Sequence, residues 1–456
     1  MSALQAAIEK AHKHKNIHLD EFKRLLSMPS ISTLREHQPD IERTAEWIAD
    51  QLRQAGMARV DVMATGGHPL VYGEWLGAPG KPTVLVYGHY DVQPVDPLNE
   101  WISGPFDPTI RGDDIFARGA SDMKGQIFAQ IKAVECLRHN NEFPVNIKYI
   151  IEGEEEIGSP HLEPFIDANK DMLACDFVLN CDAGIHDPEV PAITIGLRGL
   201  AYFELHIHAA AKDLHSGLFG GTIANPIHVL CDLIAGMHDA DGRVTLPGFY
   251  DKVRMLSDEE RAEQARVPYT DEGWLAMTGA PALCGEKGFT TMERRGCRPT
   301  LEVNGIVGGF TGEGSKTVLP AKAMAKISTR LVADQDSAAI KGMLTEYFKK
   351  HIPNTVTWEL HEHSHAAPAL MGRDTKYMRA AGAALKEVYG AEPLFKREGG
   401  TVPIVSILQH KLGVDSIMLG FALPSDGIHG PNEKQHLPNF FRGIETYIRF
   451  LSALGE

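Results

Sequence analysis

Short apolar runs that break off into polar clusters constrain this chain more than any other feature. TVLVYG (83–88) is followed by His89 and Asp91, and VNIKYII by Glu152, Glu154, Glu155 and Glu156. DFVLNC (176–181) leads into Asp182, and SIMLGFAL into SDGIH, with Asp426 and His429. Continuous apolar runs of this length read as core strands, buried on both faces. Between them, GQIFAQIKAVECLRHN (125–140) places Ile127, Phe128, Ile131, Val134 and Leu137 on one stripe, the pattern of a helix, with Asp122 of RGASDMKG just ahead of it. Strands alternating with helices predict an α/β architecture with a central, mostly parallel sheet flanked by helices. In such sheets the carboxyl ends of the strands form the ligand crevice, so the clusters are expected to converge.

At 456 residues the chain exceeds one ordinary core. The texture changes near Gly199: AYFELHIHA alternates like a half-exposed strand, and NPIHVLCDLIAGMHD opens a helix with Asn225 placed to cap it and Pro226 in the first turn. A turn-rich middle precedes a second strand pair around TLEVNGIVGGF and AMAKISTRLVA, and α/β texture resumes near 366. The expected organisation is one domain in two pieces, 1–198 and 367–456, interrupted by an inserted α+β domain over 199–366.

A formal net charge of -15 argues against a nucleic-acid or anionic-membrane surface. Six scattered cysteines without a CxxC pair suggest neither a disulfide framework nor a cysteine metal site, and all six read as structural. The N-terminal stretch lacks a signal-peptide core and no apolar run reaches membrane-spanning length, so a cytoplasmic protein is expected. Two histidines and several carboxylates converging in one crevice suit a divalent metal such as zinc, manganese or cobalt. In extended chain, His89 and Asp91 face the same side and can act as a unit. His361 and His363 of the HEHSH run (361–365), and His12, His14 and His18, read as solvated surface.

GHYDVQP, ARGASDMKG, EGEEEIGS, KDLHSG, REGGT and SDGIHGPNEK together resemble the dinuclear-metal amidohydrolase and dipeptidase family that includes carnosinase, cytosolic non-specific dipeptidase, acetylornithine deacetylase, succinyl-diaminopimelate desuccinylase and aminoacylase. The motifs span residues 88 to 434 in the family's order. The resemblance implies two divalent ions per subunit, zinc foremost, bridged by Asp122. His89 and Asp182 would complete one site, Glu156 and His429 the other. It implies Glu155 as general base toward a water held between the ions, Asp91 as the carboxylate orienting His89, and a cis peptide at Asp122–Met123. The inserted segment resembles the family's lid and dimerisation domain. There His215 would stabilise the oxyanion from the neighbouring subunit, Thr317 would touch substrate from that neighbour, Arg330 and Thr401 would lie at the substrate's α-carboxylate end, and His365 would lie near the substrate. The implied protein is a homodimeric dipeptidase acting on small substrates with a free α-carboxylate. An N-acyl-amino-acid deacylase or desuccinylase is the alternative.

Overall fold

The computed structural model describes residues 2–456. The chain forms two compact units: the first comprises the chain up to Ile195, Met371–Phe395 and Ile407–Glu456, the second Gly196–Leu370 and Lys396–Ser406. Lys396–Ser406, which carries REGGT, therefore groups with the inserted segment, not with the returning α/β chain as the expected boundaries had it.

The first unit opens with helices α1 (Ala3–Lys13), α2 (Lys15–Leu26) and α3 (Gln38–Ala55). Strands β1 (Arg59–Met63), β2 (Leu70–Trp75) and β3 (Thr83–His89) follow, then α4 (Lys124–Leu137), β4 (Asn146–Glu152), β5 (Phe177–Asn180) and β6 (Ala192–Leu197). In the second unit are β7 (Gly199–His208), α5 (Pro226–Gly236), β8 (Thr300–Gly308), β9 (Lys322–Leu331), α6 (Ile340–His351) and β10 (Thr357–Ala366). The chain then returns with α7 (Lys376–Tyr389), β11 (Ser416–Met418) and α8 (Leu437–Gly455).

The sheet of the first unit runs β1-β2-β4-β3-β5-β11-β6. Its centre is parallel: β3 pairs β4 and β5, and β11 pairs β5, all in parallel. β1, β2 and β6 join antiparallel at the flanks. Because the central strands run the same way, they end at the same edge. His89 faces Glu152 in register, and Tyr87 and Met418 both pair with Asn180. The apolar stripe of α4 is buried, and Phe22 of α2, Phe128 of α4 and Phe440 of α8 stack, the closest ring pair 4.7 Å apart. This packing sets the N-terminus of α4, and with it Asp122, against the strand ends.

In the second unit an antiparallel sheet, β8-β9-β7-β10, buries one face beneath α5 and α6. Burial alternates residue by residue along β7, with Phe203, Leu205 and Ile207 inward. Asn225 caps α5 through its side chain, which accepts the Ile227 N–H at 2.9 Å. Of the cysteines, Cys136, Cys181 and Cys297 are buried, whereas Cys231 and Cys284 are exposed, so a structural role does not extend to all six.

Candidate active site

The pairing of histidine and aspartate at the end of β3 has a specific use. His89 and Asp91 are both fully buried. The His89 Nδ1 lies 3.1 Å from the Asp91 carbonyl oxygen and 3.3 Å from its Oδ1, which turns Nε2 toward Asp122, 3.2 Å from Oδ1. The same Asp91 carboxylate accepts the Glu155 N–H at 3.2 Å and the Glu156 N–H at 3.0 Å. One buried carboxylate thus orients an imidazole and holds the turn that carries two glutamates.

The four acidic residues at and just beyond the end of β4 separate into two pairs. Glu152 accepts the Tyr87 hydroxyl at 2.8 Å, and Glu154 turns to the His68 N–H and the His161 ring. Glu156 faces the other way: its Oε2 is 3.2 Å from His429 Nε2 and accepts the Gln93 amide at 2.8 Å. His429, in the left-handed region at φ 63°, also places Nε2 3.0 Å from Asp122 Oδ2. Asp122 therefore gives one oxygen to each histidine. Candidate ligand atoms of His89, Asp122 and Asp182 lie within 4.8 Å of one another, as do those of Asp122, Glu156 and His429. The Asp122–Met123 peptide is cis.

Crowding of charge marks the cluster. Burial first, then the neighbouring Asp122, pushes the Asp182 pKa up to about 8. Burial also pushes Glu155 up to about 7; His89 opposes this, while Glu156, Asp122 and Asp91 reinforce it. Burial opposes ionisation of Asp122 too, but hydrogen bonds from His429 and His89 outweigh it and hold its carboxyl below the usual range. Four carboxylates (Asp122, Glu155, Glu156 and Asp182) thus share a partly desolvated space with two imidazoles. This donor set fits divalent cations, whose charge relieves the mutual repulsion of the carboxylates.

The residues expected in the inserted segment form two further groups within the second unit. His215 is exposed and pairs with Val318 across a two-residue ladder, and the Thr317 carbonyl accepts the Ser216 N–H at 3.1 Å. His215 and Thr317 are therefore brought together. Arg330 Nη1 donates to Thr401 Oγ1 at 2.6 Å, and that hydroxyl donates to the Arg198 carbonyl at 2.7 Å. His365 stands apart: its Nδ1 is 2.8 Å from Glu362, and among the described residues no hydrogen bond or ion pair joins it to Arg330 or Thr401.

The model for "Peptidase family M20/M25/M40" matches residues 85–453. The chain belongs to this peptidase family. The Cys-Gly metallodipeptidase dug1 of Schizosaccharomyces pombe is 31% identical over 471 residues, covering 100% of this chain and 99% of that protein. The human Beta-Ala-His dipeptidase is 30% identical, covering 99% and 93%. Among solved structures, an M20 family metallo-carboxypeptidase from Sulfolobus solfataricus superposes with a TM-score of 0.85 at 35% identity, covering 96% of this chain and 99% of that one. This M20 peptidase falls in the metallodipeptidase branch.

Sequence reading assigns no role to three polar residues at these sites, although Gln93 and Glu433 lie within GHYDVQP and SDGIHGPNEK. Glu433 is buried, and its four hydrogen bonds converge on the loop before Asp122. Its Oε2 accepts from Arg118 Nη1 and the Gly119 N–H, both at 2.8 Å, and its Oε1 accepts the Ser121 and Asp122 N–H groups, both at 3.0 Å. Burial pushes its pKa up against the pull of Arg118, but with donors on both oxygens it serves as a carboxylate. Gln93, two residues beyond Asp91, braces Glu156. Arg198 lies beside Arg330: burial first, then Arg330 and Arg295, lowers its pKa to about 10. Two guanidinium groups drawn together invite an anion. Asp426 does not face the metal-ligand candidates. It is buried and accepts the Ser121 hydroxyl at 2.7 Å and the Leu423 N–H at 2.8 Å.

Proposed function

We propose that this M20 peptidase hydrolyses the amide bond of dipeptides with a free α-carboxylate, using two divalent ions that share Asp122. The observation that carries this is the Asp122 carboxylate itself, with one oxygen toward His89 and the other toward His429. His89 and Asp182 would hold one ion, Glu156 and His429 the other; zinc, manganese and cobalt all suit the donors. When bound, such ions polarise an amide carbonyl and lower the pKa of water. Glu155 is the chain's own base: it takes a proton from the attacking water and returns it to the leaving amine. Asp91 keeps His89 and the Glu155–Glu156 turn in place. Arg330 and Thr401 would receive the substrate carboxylate, and His215 the oxyanion. The relatives' named dipeptides, Cys-Gly and β-Ala-His, both end in a free carboxylate, which supports this reading.

The test is a panel of dipeptides beside N-acetyl and N-succinyl amino acids, assayed before and after dialysis against a strong chelator. Dipeptides should be cleaved in preference, activity should vanish on metal removal, and zinc, manganese or cobalt should restore it. Full activity in a metal-free preparation, verified by elemental analysis, would overturn the proposal.

The Arg330–Thr401 pair predicts the direction of substrate selection. Amidating the C-terminus of a good dipeptide should lower kcat/KM by roughly 10- to 150-fold, since a hydrogen bond to a charged group is worth ~1.5–3 kcal/mol. In Arg330→Ala the free and amidated substrates should differ little. Equal cleavage of both by the wild type would rule out the carboxylate clamp.

We further propose a homodimer in which His215 serves the neighbouring subunit, as the family resemblance implies. Glu155→Ala and His215→Ala proteins, each nearly inactive, should regain about a quarter of wild-type activity after subunit exchange. Half the dimers are then mixed, and one of the two sites in each has both groups intact. If His215 serves its own chain, every site in a mixed dimer lacks one group. Absence of recovery despite demonstrated exchange would then refute sharing.

A further inference from the structure

His18 does not lie on the solvated surface that its polar neighbourhood in the sequence suggests. It is fully buried, and neither ring nitrogen has a hydrogen-bond partner. A buried imidazole left in that condition is costly, and such groups in folded proteins are ordinarily satisfied. Two other donors face it. His14, where α1 meets α2, lies one helical turn back; its carbonyl accepts the His18 N–H at 2.9 Å, and the two ring centroids are 5.9 Å apart. Glu135 of α4 completes the group, and ligand atoms of the three residues lie within 4.8 Å of one another.

We propose that His14, His18 and Glu135 form a further metal site, separate from the cluster around Asp122, for a divalent first-row transition ion of the zinc class. Two imidazoles and one carboxylate select against magnesium and calcium, which take oxygen ligands. Two lysines hold Glu135 in place: its Oε2 accepts from Lys132 Nζ at 2.7 Å and its carbonyl from Lys10 Nζ at 2.6 Å. His14 and Glu135 are only partly buried, which leaves a path for the ion and room for a solvent ligand. An ion held there would pin the junction of α1 and α2 to α4, acting as a clamp on the N-terminal helices.

Zinc content after equilibrium dialysis separates this site from the one around Asp122. His14→Gln should bind one ion fewer per chain than the wild type, with kcat unchanged and without the rise in Tm that zinc gives the wild type. Asp122→Asn/His429→Ala should keep one ion, and adding His14→Gln to that background should remove it. Glu135→Gln, with an unaltered circular dichroism spectrum, should repeat the loss. Equal zinc content in wild type and His14→Gln, or no change on adding His14→Gln to the double variant, would overturn the site and leave only water at His18. Failure of the reading at Asp122 is a different result: Asp122→Asn/His429→Ala would then hold as much zinc as the wild type.

Discussion

Glu155→Gln should retain its metal ions and lose about 10²–10⁴-fold or more in turnover, the range attributed to a positioned general base. The expectation rests on the asymmetry between two adjacent glutamates. Glu156 is tied to His429 and Gln93, whereas the Glu155 carboxylate lies among the charges of His89, Glu156 and Asp122. The amide of glutamine keeps the shape and cannot take a proton. Glu156→Gln should instead lower metal content, because it replaces an anionic ligand candidate. Elemental analysis together with kcat at saturating substrate distinguishes the two. Undiminished turnover in Glu155→Gln, or metal loss there in place of Glu156→Gln, would reverse the assignment.

Glu433→Ala should cost about 3–5 kcal/mol of stability, the range for breaking a buried ion pair by removing one partner. Arg118 and Glu433 are each only 1% exposed, so the deletion leaves a guanidinium uncompensated in the interior. It also orphans the N–H groups of Gly119, Ser121 and Asp122. Combining Glu433→Ala with Arg118→Met removes the stranded charge and should recover part of the loss. The remainder should persist, because the three backbone donors stay without their acceptor. Denaturant unfolding of the metal-free proteins measures both effects without interference from ligation. Metal content should fall in both variants, since Asp122 is carried on the released loop. A Glu433→Ala protein as stable as the wild type would show that the loop holds itself.

Much of the candidate site was legible before folding because strand and helix periodicities are local. TVLVYG lies in the observed β3 and DFVLNC spans β5, and their polar successors meet because parallel strands share one carboxyl edge. Other readings depended on partners distant in the chain. Nothing local separates Glu152 and Glu154 from Glu155 and Glu156; Tyr87, His68 and His161 draw off the first two, and Asp91 holds the turn of the others. Glu433, in PNEK, has the composition of a surface turn, yet its four donors belong to residues 118–122. His18, amid lysines and histidines, is buried by packing that no short window contains.

What the sequence by itself determined is therefore the architecture, the order of its elements and the chemical type of its polar clusters. These follow from apolar periodicity and from residue types at strand ends, which act over a few residues. What only the tertiary structure decided is which oxygen or nitrogen each polar group faces: Asp122 between two histidines, Glu433 beneath the loop before it, and Arg330 on Thr401 near Arg198. A buried polar atom must find a partner wherever the packed chain supplies one, and across separations of 33 to 311 residues that partner is set by the fold.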